Sequence, residues 1–438
     1  MTNEERTACY AEKLAEMIRM KTVSAYNETD LTRFREFHGL LRSLFPNVFG
    51  KCEVEDFDGS LLIKWQGSGD GKPIMLMNHH DVVEAGGKWE HGAFSGDIVD
   101  GKMYGRGTLD TKSGLFCILQ TVDELIADGY VPERDVYIES SCNEECDGRG
   151  ADAISTELER RGVRFEYTLD EGGYIVNDPI GGADGLFAMI GVAEKGCAEM
   201  KFVAKSNGGH ASKPGKNSPL VRLGKFMTAV EKKDPFVSYC PPATKEMFLR
   251  VSRKTHGITR FFLTRSRWFL AHILPIAAPS SAYLMKTTLA FTMAGGSDAA
   301  NVLPLDAWVM GNMRYSHHQG RDSSFAAVKK IADKYGVEMV VTDPGVPSKL
   351  SSYTSDAFRL IESGVGRFFS GVVTAPYVAA AASDNRYMSR ISDACYGFIP
   401  FIISDEQLDS IHGLNENVDL SNLVPAVDFY KYIIREGK

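Results

Sequence analysis

The apolar run "KPIMLM" at 72–77 ends abruptly on "NHHD". A strand that is apolar on both faces has to be covered on both, as a central strand of an α/β sheet is; a sandwich strand would alternate. The flanking sequence agrees. "LLIKWQG" reads as a second strand, "GTLDTKSGLFCILQTVDELIADG" takes up a helical period and stops at Gly129, "RDVYIES" returns to strand and "GADAISTELERRG" to helix. Residues 4–20 and 30–45 also carry apolar positions at helical spacing. Alternation of this kind predicts an α/β fold: a mostly parallel mixed sheet flanked by helices.

From about residue 188 the texture changes. "GVAEKGCAEMKFVAKS" alternates with period two, "PLVRLGKFMTAVEKK" is helix-like, and "LDAWVMGNMRYS" and "GVEMVVTDPG" read as strands around the helix-like "FAAVKKIADKYG". This order predicts a smaller α+β domain with one open sheet face. Near 346 the first texture resumes and runs to the helical "LVPAVDFYKYIIREG". The expected division is therefore 1–187 with 346–438 as one domain and 188–345 as an insertion in it.

Function classes are bounded by charge and composition. The chain has 438 residues, a formal net charge of −8 and no Lys/Arg-rich block, so a nucleic-acid partner is not expected. The acidic, helical N-terminus lacks a basic stretch followed by an apolar one, which leaves the cytoplasm as the default compartment. Eight scattered cysteines form no C-x-x-C pair and read as reduced, buried thiols. "WFLAHILPIAA" at 268–278 is far short of a bilayer span and reads as a core or interface segment, with no membrane partner expected. "GRGTLDTKSG" lacks the spacing of a phosphate-binding loop.

Charged residues concentrate where the strands end, the usual ligand edge of an open α/β sheet. "MLMNHHDVVEAG" delivers His79, His80 and Asp81, and "GRGTLDTKSG" delivers Asp110. "SCNEECDG" adds Glu144 and Glu145, "EYTLDEGG" adds Asp170 and Glu171, and "DSIHGLNENV" adds His412. A single such histidine is usually structural and a single acid pair usually a solvated face. Here each follows an apolar run, and five coincide. Imidazoles with carboxylates and no thiolate suit zinc, or cobalt and manganese. Adjacent glutamates at a strand end need a cation, and a metal pair supplies it: one glutamate can ligate while its neighbour works on a water molecule. Successive residues of an extended chain point oppositely, so the two can share a site only if the chain bends, which "CDGRG" allows. Asp81 can accept the second N–H of the His79 imidazole and fix its tautomer.

These motifs, continued through "GGHASKP", "NVLP" and "ASDNRY", resemble in order the di-zinc amidohydrolases that include aminoacylase, acetylornithine deacetylase, succinyl-diaminopimelate desuccinylase, glutamate carboxypeptidase and the carnosine dipeptidases. The spacing is similar too, with 31 residues from His79 to Asp110 and 34 from Asp110 to Glu144. The resemblance implies a zinc exopeptidase-like catalytic domain with an inserted lid that forms a homodimer, and two zinc ions per chain, with cobalt or manganese possible. It implies His79 on one metal, Asp110 bridging, Glu145 and His412 on the other, and Glu144 as general base. Asp170 or Glu171 supplies the remaining carboxylate; the motif leaves that choice open. His210 matches the lid histidine that stabilises the oxyanion, and Asn301 and Arg314 match groups that hold the substrate's carbonyl and carboxylate. Arg386 is a second carboxylate candidate. Asn78 and Glu84 depart from the usual first motif, and Glu84 at the rim could alter substrate preference. His80 reads as a packing or rim residue. "AEKG" and the long insertion before "NVLP" are most similar to the Gly-X carboxypeptidase and N-acyl-amino-acid hydrolase branch. The implied reaction is hydrolysis of an amide next to a free carboxylate in a small peptide, by a metal-bridged water with Glu144 as base. The alternatives are deacylation of an N-acyl amino acid and, more remotely, an inactive fold used for binding.

Overall fold

Period-two burial in the strand Gly71–Met77 sets the architecture. Ile74 and Leu76 pack into the core on one side of the sheet and Met75 and Met77 into a separate core on the other, all four fully buried. The computed structural model describes residues 1–437. Its large sheet has ten strands. Along its path these are Glu53–Phe57, Ser60–Trp65, Arg134–Ser140, Gly71–Met77, Phe165–Asp170, Ser392–Gly397, Leu186–Glu194, Ile175–Asn177 and Ile402–Ile403, with Val373–Ala379 paired beside Leu186–Glu194. The four strands from Arg134–Ser140 to Ser392–Gly397 are mutually parallel, and the Glu53 edge is antiparallel.

Helices cover both faces. Lys112–Ala127 is buried almost all round, lying on the sheet beneath Asn3–Arg19 and Leu423–Glu436. Thr2 and Glu5 close the start of Asn3–Arg19 with a reciprocal capping box. Arg149–Arg160 covers the opposite face through Ala151, Ile154 and Leu158. Each such fully buried Leu or Ile is worth about 1.5 to 3 kcal/mol.

A second, wholly antiparallel sheet has the order Thr288–Gly295, Asp306–Tyr315, Gly196–Lys205, Glu338–Asp343. Ala198, Met200, Phe202 and Ala204 point to one face, where the helices Pro219–Lys233 and Arg321–Lys334 cover them. The other face stays open. Leu186–Glu194 pairs in the large sheet, so the chain passes from one sheet to the other at Lys195.

The segment from Pro242 to Leu284 is a string of short helices. Although it sits in the sequence between elements of the small sheet, it docks on the large one: Met247, Phe248, Leu263, Leu270 and Leu274 pack with Phe187, Met189 and Ala375. No helix among the described residues is long and apolar enough to cross a membrane.

Candidate active site

Asp110 leaves the Gly-rich turn before the helix Lys112–Ala127, and its peptide bond to Thr111 is cis. Gly114 lets that helix start against the end of the central strand: a Cβ there would lie 1.7 Å from Asn78 Oδ1. The turn is also held from across the chain. Glu416 Oε1 accepts the backbone N–H groups of Gly107 (3.1 Å), Leu109 (2.8 Å) and Asp110 (3.2 Å), and Glu416 Oε2 accepts from Arg106 Nη1 at 2.7 Å. Arg106 Nη2 donates to the Gly413 carbonyl at 2.9 Å, which ties the His412 loop to the Asp110 turn. His412 itself has a left-handed backbone, φ 60°.

Asp110 then stands between two imidazoles. Its Oδ1 is 2.9 Å from His79 Nε2 and its Oδ2 is 2.9 Å from His412 Nε2. Glu145 Oε2 is 3.1 Å from His412 Nε2, and Glu171 Oε1 is 3.5 Å from His79 Nε2. Asp170 turns away, accepting from Ser383 Oγ (2.9 Å) and the Asn385 N–H (3.0 Å). Two trios of donor atoms are close enough to hold an ion: His79, Asp110 and Glu145, and His79, Glu144 and Glu171.

The bend that the paired glutamates require is present. Asn143 O accepts the N–H groups of Asp147 and Gly148, and Gly148 takes φ 62°. Asp81 fastens this turn, with Oδ1 accepting from the Glu144 N–H (3.1 Å) and Oδ2 from the Glu145 N–H (3.2 Å) and Ser24 Oγ (2.6 Å). His79 Nδ1 is 2.9 Å from the Asp81 backbone carbonyl and 3.4 Å from its carboxylate, so the backbone oxygen is the nearer partner for the second ring N–H. His80 is fully buried, stacked on Phe37 with Nδ1 2.9 Å from Ser140 Oγ.

Electrostatics mark the centre as short of positive charge. Burial, then the Asp384 charge, push the Glu144 carboxyl well above its ordinary range. Burial raises Glu171 likewise, and burial followed by Asp110 raises Glu145. Burial opposes charge on Asp110 too, but His412 and His79 outweigh it and hold that carboxyl low. Burial disfavours a charged His79, yet Glu171, Asp110 and Asp81 together hold it well above the usual imidazole value. His412 is raised to about 10 by hydrogen bonds to Asp110 and Glu145. One Glu145 oxygen is buried without a partner. A carboxylate-rich, imidazole-containing, thiolate-free cluster in this condition fits divalent cations of the zinc type.

A cavity of about 410 Å³ opens over the centre, walled by Tyr283, Tyr377 and the run Val378–Ala382. Arg386 is close by, with Nη1 2.8 Å from the Ser383 carbonyl and 3.5 Å from Glu144 Oε1. Arg314, on the small sheet, reaches the cavity wall, its Nη1 3.4 Å from the Ala380 carbonyl. His210 and Asn301 are brought together away from the cavity, where the Ala211 N–H donates to the Asn301 carbonyl at 3.0 Å; both side chains are solvent-exposed. Sequence reasoning missed Glu416, Arg106 and two buried acids beside the cleft: Glu194, whose Oε1 accepts from Ser383 Oγ at 2.5 Å, and Asp384, which accepts from Ser141 Oγ. "DSIHGLNENV", "AEKG" and "ASDNRY" contain the three acids, but nothing local marks which acid within a motif will be buried at the site.

The chain and its fold have counterparts among known proteins. A model of peptidase family M20/M25/M40 matches residues 75–436. The chain is 30% identical to the probable carboxypeptidase S-like 2 of Dictyostelium discoideum, over 97% of this chain and 84% of that protein. It is 31% identical to the N-fatty-acyl-amino acid synthase/hydrolase PM20D1 of Xenopus tropicalis, over 97% and 85%. Among solved structures, the M20 family metallo-carboxypeptidase Sso-CP2 of Sulfolobus solfataricus superposes with a TM-score of 0.71 at 16% identity, over 99% of both chains. Human carnosine dipeptidase 1 superposes with a TM-score of 0.69 at 13% identity, over 99% and 96%. The chain belongs to peptidase family M20/M25/M40 and is a metal-dependent amide hydrolase.

Proposed function

We propose that the cleft holds two divalent cations, zinc by donor set, and hydrolyses an amide next to a free carboxylate. The observation that carries this reading is Asp110, with one oxygen 2.9 Å from each of two imidazoles. We assign His79, Asp110 and Glu171 to one ion and Asp110, Glu145 and His412 to the other. Glu171 is preferred to Asp170 because only its carboxylate is directed at His79. Asp81 is a positioning residue for His79 and for the glutamate turn. Such ions, when bound, acidify a water molecule and polarise the amide carbonyl.

Glu144 supplies the proton transfers. Its carboxylate accepts a proton from the attacking water and returns it to the leaving amine, and burial opposed by local cations can bring its affinity near the working pH. Arg386 keeps one Glu144 oxygen oriented, and Arg314 at the cavity wall is the candidate for the substrate carboxylate, which its planar fork suits. We place His210 and Asn301 in an inserted lid, the part of the chain built around the small sheet, from which they reach a carbonyl oxygen on lid closure or across a homodimer.

The substrate is a small peptide or an N-acyl amino acid. One observation favours the second: the wall formed by Tyr283, Tyr377 and Val378–Ala382 is largely apolar and suits an acyl group better than a charged N-terminal residue. The test is metal content together with hydrolysis of dipeptides and N-acyl amino acids by wild type and Glu144→Ala. Two metal ions per chain, and cleavage that the variant loses while keeping its metal, support the reading. Protein that stays inactive with zinc or cobalt added overturns it.

A further inference from the structure

The helical segment from Met247 to Lys286 contains Arg250, Arg253, Lys254, Arg260, Arg265, Arg267 and Lys286 and not one Asp or Glu, in a chain whose net charge is −8. Its buried side anchors it to the large sheet. Its outer side exposes Ile258 (68%), Phe261 (46%), Trp268 (65%) and Ile276 (77%), four large apolar side chains within nineteen residues. The aromatic residues form two groups: Phe261 meets Phe262 at 5.8 Å between centroids and Phe262 meets Phe269 at 5.6 Å, while Trp268 stacks on His272 at 5.1 Å.

Five of these seven cations have no carboxylate partner among the described residues. Arg250 is taken by Glu246 and Glu362, and Lys286 by Asp234. Between these two, Arg265 and Arg267 donate to the Phe261 and Cys240 carbonyls, and Arg253, Lys254 and Arg260 are solvent-exposed. Asp184 borders the segment, its N–H donating to the Lys254 carbonyl at 2.8 Å, and no carboxylate among the described residues pairs with any of these five cations. Exposed Trp, Phe and Ile interleaved with exposed Arg and Lys in one segment is the composition of an element that lies in a lipid headgroup layer. A second copy of the chain is a poorer occupant, because a two-fold interface would oppose the same cations to one another.

We propose that this face seats the protein on an anionic lipid bilayer, with Trp268 and Ile276 entering the headgroup region and Arg260, Arg265 and Lys254 facing lipid phosphate and carboxylate. The surface is interfacial, not membrane-spanning. The same segment reaches the catalytic cavity through Tyr283. If the N-acyl reading above holds, an apolar acyl chain would leave the bilayer beside the cleft; the binding proposal does not need that reading.

The test is flotation of the full chain with phosphatidylcholine vesicles carrying about 30% phosphatidylserine, and with phosphatidylcholine alone. Binding to the anionic vesicles only, weakened by salt and reduced about ten-fold or more by Arg260→Glu with Arg265→Glu and by Trp268→Ser with Ile276→Ser, is the expected result. Both double variants alter exposed positions, and unchanged circular dichroism and thermal transitions verify that they fold. Absence of flotation, equal flotation with neutral vesicles, or variants that float like wild type would overturn the proposal. So would sedimentation showing a dimer that Trp268→Ser with Ile276→Ser separates, since a second copy would then cover the face. Flotation is read without turnover, so its outcome is independent of whether the cleft is a hydrolase site.

Discussion

Removing the Glu416 carboxylate should damage both stability and the metal site, although Glu416 is not assigned to metal or substrate. The group is fully buried and serves four donors: the Arg106 guanidinium and the backbone N–H groups of Gly107, Leu109 and Asp110. Arg106 is itself only 2% exposed, so Glu416→Ala leaves an unpaired charge in the core. Breaking a buried pair from one side costs about 3 to 5 kcal/mol. Each orphaned buried N–H adds about 1 to 3 kcal/mol, less than additively, because water can enter the space. A total stability of about 5 to 15 kcal/mol makes Glu416→Ala a borderline folder. Glu416→Gln is therefore the working variant. It keeps an acceptor for the three N–H groups and loses the charge, for an expected cost of about 2 to 4 kcal/mol. Because the same carboxylate fixes the backbone of Asp110 and, through Arg106, the His412 loop, zinc affinity should fall about 10- to 100-fold.

The assay pairs urea unfolding of chelator-treated protein with zinc titration, on wild type, Glu416→Gln, and Glu416→Gln with Arg106→Met. The double variant removes the stranded cation and should be less destabilised than Glu416→Gln alone. Glu416→Gln within about 1 kcal/mol of wild type, with zinc affinity unchanged, would refute the claim that this buried pair positions the centre.

Other expectations are narrower. Glu144→Gln should lose about 100- to 10,000-fold in kcat while binding two metal equivalents, measured by turnover and metal analysis on one preparation. Gly114→Ala should cost about 1 to 3 kcal/mol in urea unfolding, since its methyl would meet the buried Asn78 side chain at 1.7 Å; a neutral result would mean the helix start can shift. In the metal-free protein His412 titrates at about 10, above its ordinary value. The raised value stabilises the metal-free fold fully below the ordinary imidazole range, near pH 6.5, and that contribution is lost as pH rises from there through 10. A metal ion has to displace the same proton, so zinc affinity should rise with pH and binding should release protons, readable by calorimetry in buffers of different ionisation enthalpy.

Elements whose signal is local were legible in the sequence. The central strand shows itself as an apolar run because both its faces are covered, and the helix Pro219–Lys233 coincides with the segment read from its period. The acids at strand ends were legible because apolar runs point to them. Longer-range facts were not. Nothing in "LDEGG" distinguishes Asp170 from Glu171: adjacent residues leave a strand on opposite sides, and only the partners Ser383 and Asn385, more than 200 residues away, show which side faces inward. The docking of Pro242–Leu284 on the large sheet was equally hidden, because an apolar helix face does not say which core it will join.

Charge favours the proposed pair of cations over a single one. Asp81 and Asp170 are compensated by backbone N–H groups and serine hydroxyls. Asp110, Glu144, Glu145 and Glu171 have only the two imidazoles and Arg386 near them. Imidazoles that ligate a metal must be neutral, so metal loading leaves the guanidinium as the one protein cation facing these four carboxylates and Asp384. Four negative charges in a buried cluster exceed what a single dication cancels, and the remainder would keep one glutamate protonated and unable to act as a base. A second dication removes that constraint and frees Glu144 to titrate. Titration of chelator-treated protein should therefore recover activity only as the second equivalent binds; full activity at one equivalent would show that a glutamate in this cluster ionises without it.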